Sequence, residues 1–335
     1  MLRRAERVFL LVLVAVSLAA AAAFGAGAAP QSQPSAQPVT KSKAPAQSQT
    51  AQAGSAQPQP QPGQKTFKSP QEAASALSSA THANNENEML VILGGDARDI
   101  VLWSDNADER KAEADQFSKK YDQMHRLVKE PDGETTLYVG AENWPLPFPI
   151  VEFRGNWYFD AGLGRQEILY RRIGQNEVET IDALHGIVDA QKEYYAQDPP
   201  RDGGHEYAAH FDSAQGSRNG LYWSSTNNDS PLGPYLARAG YDRSDRMPLH
   251  GYFFRILTAQ GAGAPGGAKS YLANGKMTGG FAIVAFPAEY RVSGVKTFIV
   301  DQSGVVYERD LGAMTTEIAS AMKDYNPTPA WRKVQ

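Results

Sequence analysis

The chain has no cysteine. That removes disulfides, thiol nucleophiles, zinc knuckles, iron–sulfur clusters and a lipid anchor through Cys. It also suits an oxidising compartment, where a free thiol is a liability. Charge bias is lacking too: the formal net charge is −4. No Lys/Arg cluster interleaves with aromatics, so no nucleic-acid partner is expected. After residue 28 no apolar run is long enough to span a bilayer. Neither G-x-S-x-G nor G-x-x-x-x-G-K-[ST] occurs, which removes the α/β-hydrolase serine and P-loop chemistry. His205-Glu206…His210 comes nearest to a zinc-protease helix. Its imidazoles stand at i and i+5, about 140° apart around a helix, where the chemistry needs i and i+4.

What is present begins with an address. Arg3, Arg4 and Arg7 precede the soft apolar run Val8–Phe24, and Ala26-Gly27-Ala28 follows as an A-x-A site. This is the grammar of a secretory signal peptide over residues 1–28, directing the chain to the periplasm or outside, with no membrane span left after cleavage. The alternative is an uncleaved inner-membrane anchor. Residues 29–65 are almost wholly Gln, Pro, Ala and Ser. Such a segment buries too little apolar surface to offset its conformational entropy and is expected to be a disordered linker.

The remainder reads as α+β in two parts, residues 66–174 and 175–335. Ser69-Pro70-Gln71-Glu72 is a capping box opening a helix. A second helix is expected over Glu86–Leu93. A third is expected from Phe117, Tyr121, Met124 and Val128, spaced along one helical face up to the turn Pro131-Asp132-Gly133. Strands follow at Thr135–Val139, Phe148–Phe153 and Trp157–Phe159, with Arg154-Gly155-Asn156 as a hairpin turn. The second part opens with a cap-like Asn176-Glu177-Val178-Glu179 and a helical stripe through Ile181, Leu184 and Ile187. Leu221-Tyr222-Trp223 and Tyr235-Leu236 are expected to plug a core. Strands are expected at Tyr252–Thr258, Phe281–Phe286, Lys296–Val300 and Val305–Glu308. Gly261-Ala-Gly263-Ala-Pro-Gly266 matches G-x-G-x-x-G, but no helix follows to hold a pyrophosphate, so it is expected to be a flexible hairpin loop. Asp198, Asp202 and Glu206 could supply three carboxylates to a calcium ion, although Pro200 interrupts the acidic alternation.

Four stretches carry a resemblance. They are Phe67-Lys-Ser-Pro-Gln-Glu-Ala-Ala74, Leu137-Tyr-Val-Gly-Ala-Glu-Asn-Trp-Pro145, Gly251-Tyr-Phe-Phe-Arg-Ile-Leu-Thr-Ala-Gln-Gly261 and Gly279-Gly-Phe-Ala-Ile-Val-Ala-Phe-Pro-Ala-Glu-Tyr290. In them the chain resembles a bacterial envelope family known only as domain-of-unknown-function family 2950, which implies no reaction. The first half also resembles an NTF2-like cone, with helices on a short antiparallel sheet. The C-terminal half is similar to a type IV pilin head, a long helix packed on an antiparallel meander. If the cone is right, its concave face implies a pocket lined by Tyr138, Trp144 and Trp157 with His125 or Asp160 as polar groups. The structural reading of the same aromatics is that they fill a core. The leading expectation is a non-catalytic envelope protein that binds another envelope protein and needs no cofactor. Its rivals are a periplasmic enzyme using the cone pocket and a calcium-stabilised surface module.

Overall fold

A computed structural model of the chain describes residues 59–197, 204–225, 229–241 and 244–334. The segment 1–28 and most of 29–65 lie outside them. The fold is α+β, as expected, and the chain divides into two compact units between Ile168 and Leu169.

In the first unit Ser69 caps helix α1 (Pro70–His82). Its hydroxyl accepts the Glu72 N–H at 3.2 Å, and the Glu72 carboxylate accepts the Lys68 N–H at 2.9 Å. Helix α2 (Glu86–Leu93) starts at an Asn85 cap, α3 (Arg98–Val101) is a single turn, and α4 (Ala107–Gln123) starts at an Asn106 cap. The antiparallel sheet comprises β1 (His125–Lys129), β2 (Thr135–Val139), β3 (Trp144–Pro145), β4 (Ile150–Phe153) and β5 (Asn156–Phe159). Its order is β1-β2-β4-β5, with β3 also on β2. Leu77, Ile92, Phe117 and Tyr121 from the helices pack on Leu137, Val139, Ile150 and Phe159 from the sheet. Each such side chain contributes roughly 1.5–3 kcal/mol by leaving water.

The third helix is shorter than its stripe implied. The chain turns extended at Met124 (φ −166°, ψ 137°), and His125–Lys129 pairs with β2. Val128 therefore lies on the sheet face away from the helices. The linker also ends earlier than expected. The Gln64 side-chain amide donates to Ile92 O at 3.1 Å and Phe159 O at 2.7 Å, and the Asp96 N–H donates to Gln61 Oε1 at 3.1 Å. Residues 61–65 thus belong to the folded unit.

Helix α5 (Ala161–Gln197) runs unbroken for 37 residues, so the expected start near Asn176 is corrected. Gly164 does not interrupt it; a Cβ there would lie 2.3 Å from the Phe148 ring, so glycine gives the helix its close approach to that ring. In the second unit β6 (His210–Asp212) and β7 (Gly220–Tyr222) pair in parallel, and α6 (Pro234–Ala237) is one turn. Then come β8 (Tyr252–Leu257), β9 (Ala259–Gln260), β10 (Lys269–Ser270), β11 (Leu272–Ala273), β12 (Lys276–Met277), β13 (Ala282–Pro287), β14 (Lys296–Asp301), β15 (Val306–Asp310), α7 (Thr315–Ala321), β16 (Asp324–Tyr325) and β17 (Arg332–Lys333). The main sheet runs β17-β15-β14-β13-β8, antiparallel throughout. All six residues of β13 are buried, the pattern of a strand covered on both faces. Leu184, Ile187 and Tyr194 of α5 share the core with Tyr252, Phe254, Phe286 and Phe298.

Two local expectations are corrected in part. The Gly261–Gly266 stretch lies in a hairpin loop, as expected, between the antiparallel β9 and β10, but it is pinned. The Gly261 N–H donates to Tyr325 O, the Gly263 N–H to Asn326 Oδ1 at 2.9 Å, and the Gln260 amide to Pro265 O at 2.8 Å and Gly267 O at 2.7 Å. A Cβ on Gly261 or Gly263 would come 2.5 or 2.8 Å from the Asn326 side chain. Of the Tyr235-Leu236 pair, Leu236 packs on the core, with Leu232 and Ala237 buried on either side, and Tyr235 does not.

Candidate functional site

The register of the first sheet decides where the cone-pocket candidates point. Directly paired residues share a face. His125 and Trp144 both pair with Val139, on the face toward the helices. Trp144 packs on the core, and His125 lies at its margin, stacked on the Tyr121 ring at 3.9 Å with Nδ1 3.0 Å from Tyr121 O. Trp157 also packs on that core, but from β5, three strand spacings or roughly 14 Å from β1 and His125. Tyr138 is on the opposite face, paired with Arg126, whose guanidinium lies 4.4 Å from its ring centre; the Tyr138 hydroxyl donates to Glu130 Oε1 at 3.1 Å. Asp160 follows β5, and its Oδ1 accepts the Leu163 N–H at 2.9 Å at the start of α5. The five do not converge on one cavity. Both tryptophans are half-buried and pack against the core, and Asp160 serves a helix terminus.

A depression of about 450 Å³, open to solvent, lies elsewhere on this unit, lined by Gly95, Asp96, Arg98, Asp99, Leu102 and Arg165. Arg165 is committed within it, donating to Asp96 O at 2.9 Å and pairing with Asp99 at 2.6 Å. The first unit also holds a carboxyl that sequence reasoning missed. Glu113 on α4 is half-buried, its Oε1 has no hydrogen-bond partner among the described residues, and desolvation pushes its pKa up to about 7. Nothing in the charged run Ala107–Gln123 distinguishes Glu113 from its exposed neighbours.

Of the calcium candidates, Asp198 and Asp202 lie outside the described residues. Glu206 is half-buried and faces Lys276 Nζ at 3.9 Å. Among the described residues no three metal-capable side chains cluster. His205 and His210 are exposed.

In the second unit the buried polar groups build the scaffold. Glu177 Oε1 accepts the Val295 and Lys296 N–H groups, both at 2.9 Å, and the Asn176 amide donates to Ser293 O at 2.8 Å. Burial raises the Glu177 pKa, opposed by those two backbone bonds. The cap-like Asn176-Glu177 pair thus holds a strand entry instead of starting a helix. The Arg255 guanidinium donates to Ala319 O at 3.0 Å and Met322 O at 2.7 Å at the C-terminal end of α7, where Ala319 O also accepts the Met322 N–H at 3.3 Å.

The surface of the same unit differs. Tyr235 is 79% exposed and Met247 55%. The Met247 N–H donates to Arg238 O at 2.8 Å, which ties residues 244–247 to the turn just after α6. Arg238 and Arg246 are exposed as well, and the Arg246 guanidinium lies 4.5 Å from the Tyr241 ring centre and 5.7 Å from that of Phe253. Tyrosine, methionine and arginine are the side chains enriched at the centres of protein interfaces.

A family model described as "Protein of unknown function (DUF2950)" matches residues 64–334. The chain belongs to this family. Membership covers both units and starts at Gln64, the residue that fastens the N-terminal segment to α2 and β5. No curated protein matches the chain, and no solved structure does. Among the described residues no helix is long and apolar enough to cross a membrane.

Proposed function

We propose that this member of the family is an exported envelope protein that works by holding another envelope protein, not by catalysing a reaction. The observation that carries the reading is the exposed Tyr235–Arg238–Arg246–Met247 surface. Tyr235, 79% exposed, and Met247, 55% exposed and tied by its N–H to the carbonyl of Arg238 three residues beyond Tyr235, leave apolar area in water, and covering such area with a partner is favourable. The arginines supply directional hydrogen bonding around it. Supporting this, the buried Gln260 and the half-buried Glu177, Asn176 and Arg255 all bond to backbone within their own unit. The signal-like first 28 residues and the Gln/Pro-rich stretch after them would deliver the folded part to the envelope and give it reach.

The test is crosslinking in intact envelopes with wild type, Tyr235→Ala and Met247→Ala, the folds checked by melting. The expected result is one partner recovered repeatedly with wild type and reduced at least about fivefold by either substitution, as for residues at an interface centre. Equal recovery with all three proteins contradicts the proposal.

A further inference from the structure

The two edges of the first sheet are finished differently. On the β5 side the chain guards its own edge: the Phe67 N–H donates to Trp157 O and the Trp157 N–H to Phe67 O, both at 2.8 Å. On the other side β1 stands last in the order, and among the described residues its only strand partner is β2. Bonds flanking that pair fix which groups point outward. Glu130 N–H donates to Glu134 O at 2.8 Å and Gly140 N–H to Met124 O at 2.9 Å. Bonded pairs alternate along an antiparallel ladder, so Arg126 and Val128 bond to β2, and the N–H and C=O groups of His125, Leu127 and Lys129 point away from it. No hydrogen bond among the described residues occupies them. His125, Arg126 and Lys129 are exposed, so the edge is open.

The charges along this edge select its occupant. Arg126, Val128 and Glu130 lie on one face. If a second β1 runs antiparallel with Val128 against Val128, then Leu127 faces Lys129 of the second copy as a fully bonded pair, and Arg126 faces Glu130. Symmetry repeats both contacts. The strand is thereby complementary to itself in charge and in ladder pattern. The register one step away, centred on Leu127, would set His125 against Lys129 and lose the ion pairs. We propose that two copies of the chain join through β1, centred on Val128, into one continuous sheet.

So short a ladder falls below the size of a standard interface, and association in the micromolar-to-millimolar range follows. The test is sedimentation equilibrium from roughly 10 µM to 1 mM on the protein as recovered from expressing cells. Wild type should rise with concentration toward twice the monomer mass. Arg126→Glu alone and Glu130→Arg alone each set like charges across the two-fold and should weaken self-association at least about fivefold. An equimolar mixture of the two variants re-forms both pairs and should recover wild-type association. Lys129→Pro, which removes an outward N–H and no bond to β2, should abolish it. Tyr235→Ala should leave it unchanged. A wild type monomeric throughout, or single variants that associate as wild type does, overturns the proposal. Single variants that stay apart when mixed, while each melts as wild type does, overturn the register.

Discussion

Glu113 is a carboxyl whose surroundings oppose its charge. In the unfolded chain its carboxyl ionises near 4.5; folded, desolvation holds the proton up to about 7. The folded state therefore binds this proton more tightly. Its contribution to stability is fully present below the ordinary glutamate range and is lost as pH rises through about 7. The full linkage is reduced because water reaches part of the side chain, leaving about 1–2 kcal/mol. Glu113→Gln is expected to melt a few degrees higher than wild type at pH 8 and within error of it at pH 4. Calorimetry at the two values checks this, and equal shifts at both would place the effect elsewhere. Glu177 behaves differently, because its carboxylate accepts two backbone N–H groups. Glu177→Ala strands both donors beside the sheet and should cost about 2–4 kcal/mol, measured by urea unfolding. Glu177→Gln keeps an acceptor oxygen and should cost less.

At the scale of elements, the sequence was readable where one physical cause dominated. β13 is an uninterrupted apolar run, β14 carries an apolar centre at residues 298–300 ahead of the turn at residues 301–304, and α1 carries its own cap; these elements stand close to where the pattern puts them. Reading failed where a side chain answers to a distant partner. Asn176 and Glu177 imitate a helix start, yet they bond to Ser293, Val295 and Lys296, more than a hundred residues on. Tyr121, Met124 and Val128 imitate a helical stripe, yet pairing with Thr135–Val139 makes His125–Lys129 a strand. Gly261 and Gly263 look like slack, and Asn326 shows they are close contacts. Site residues were harder still, because burial of Glu113 and exposure of Tyr235 are set by tertiary packing and leave no local mark. Gly164 offers a test at this scale. Gly164→Ala forces a methyl to within 2.3 Å of the Phe148 ring. It should destabilise by about 1–3 kcal/mol despite alanine's better helix propensity. Phe148→Leu in the same chain should return part of that loss; a Gly164→Ala protein more stable than wild type would show that the ring has room to move.

At the scale of the whole molecule, the chain has two units, each with its own core, and the proposal places an export signal and a spacer ahead of them. The signal reading predicts a mature protein beginning directly after Ala28, read from the intact mass of protein taken from the periplasm; a chain still carrying Val8–Phe24 would indicate the anchored alternative. The spacer reading predicts that shortening residues 30–55 leaves the melting temperature unchanged, since the first fastening contacts described are those of Gln61 and Gln64. The binding reading requires the Tyr235 surface to be covered in the cell. Its most direct measurement places a photo-crosslinking amino acid at position 235 in the living cell, with position 314 as control, because Met314 is also exposed, at 61%. One discrete adduct at 235 that is missing at 314 is the predicted result. No adduct at 235, or the same diffuse products at both positions, would contradict it.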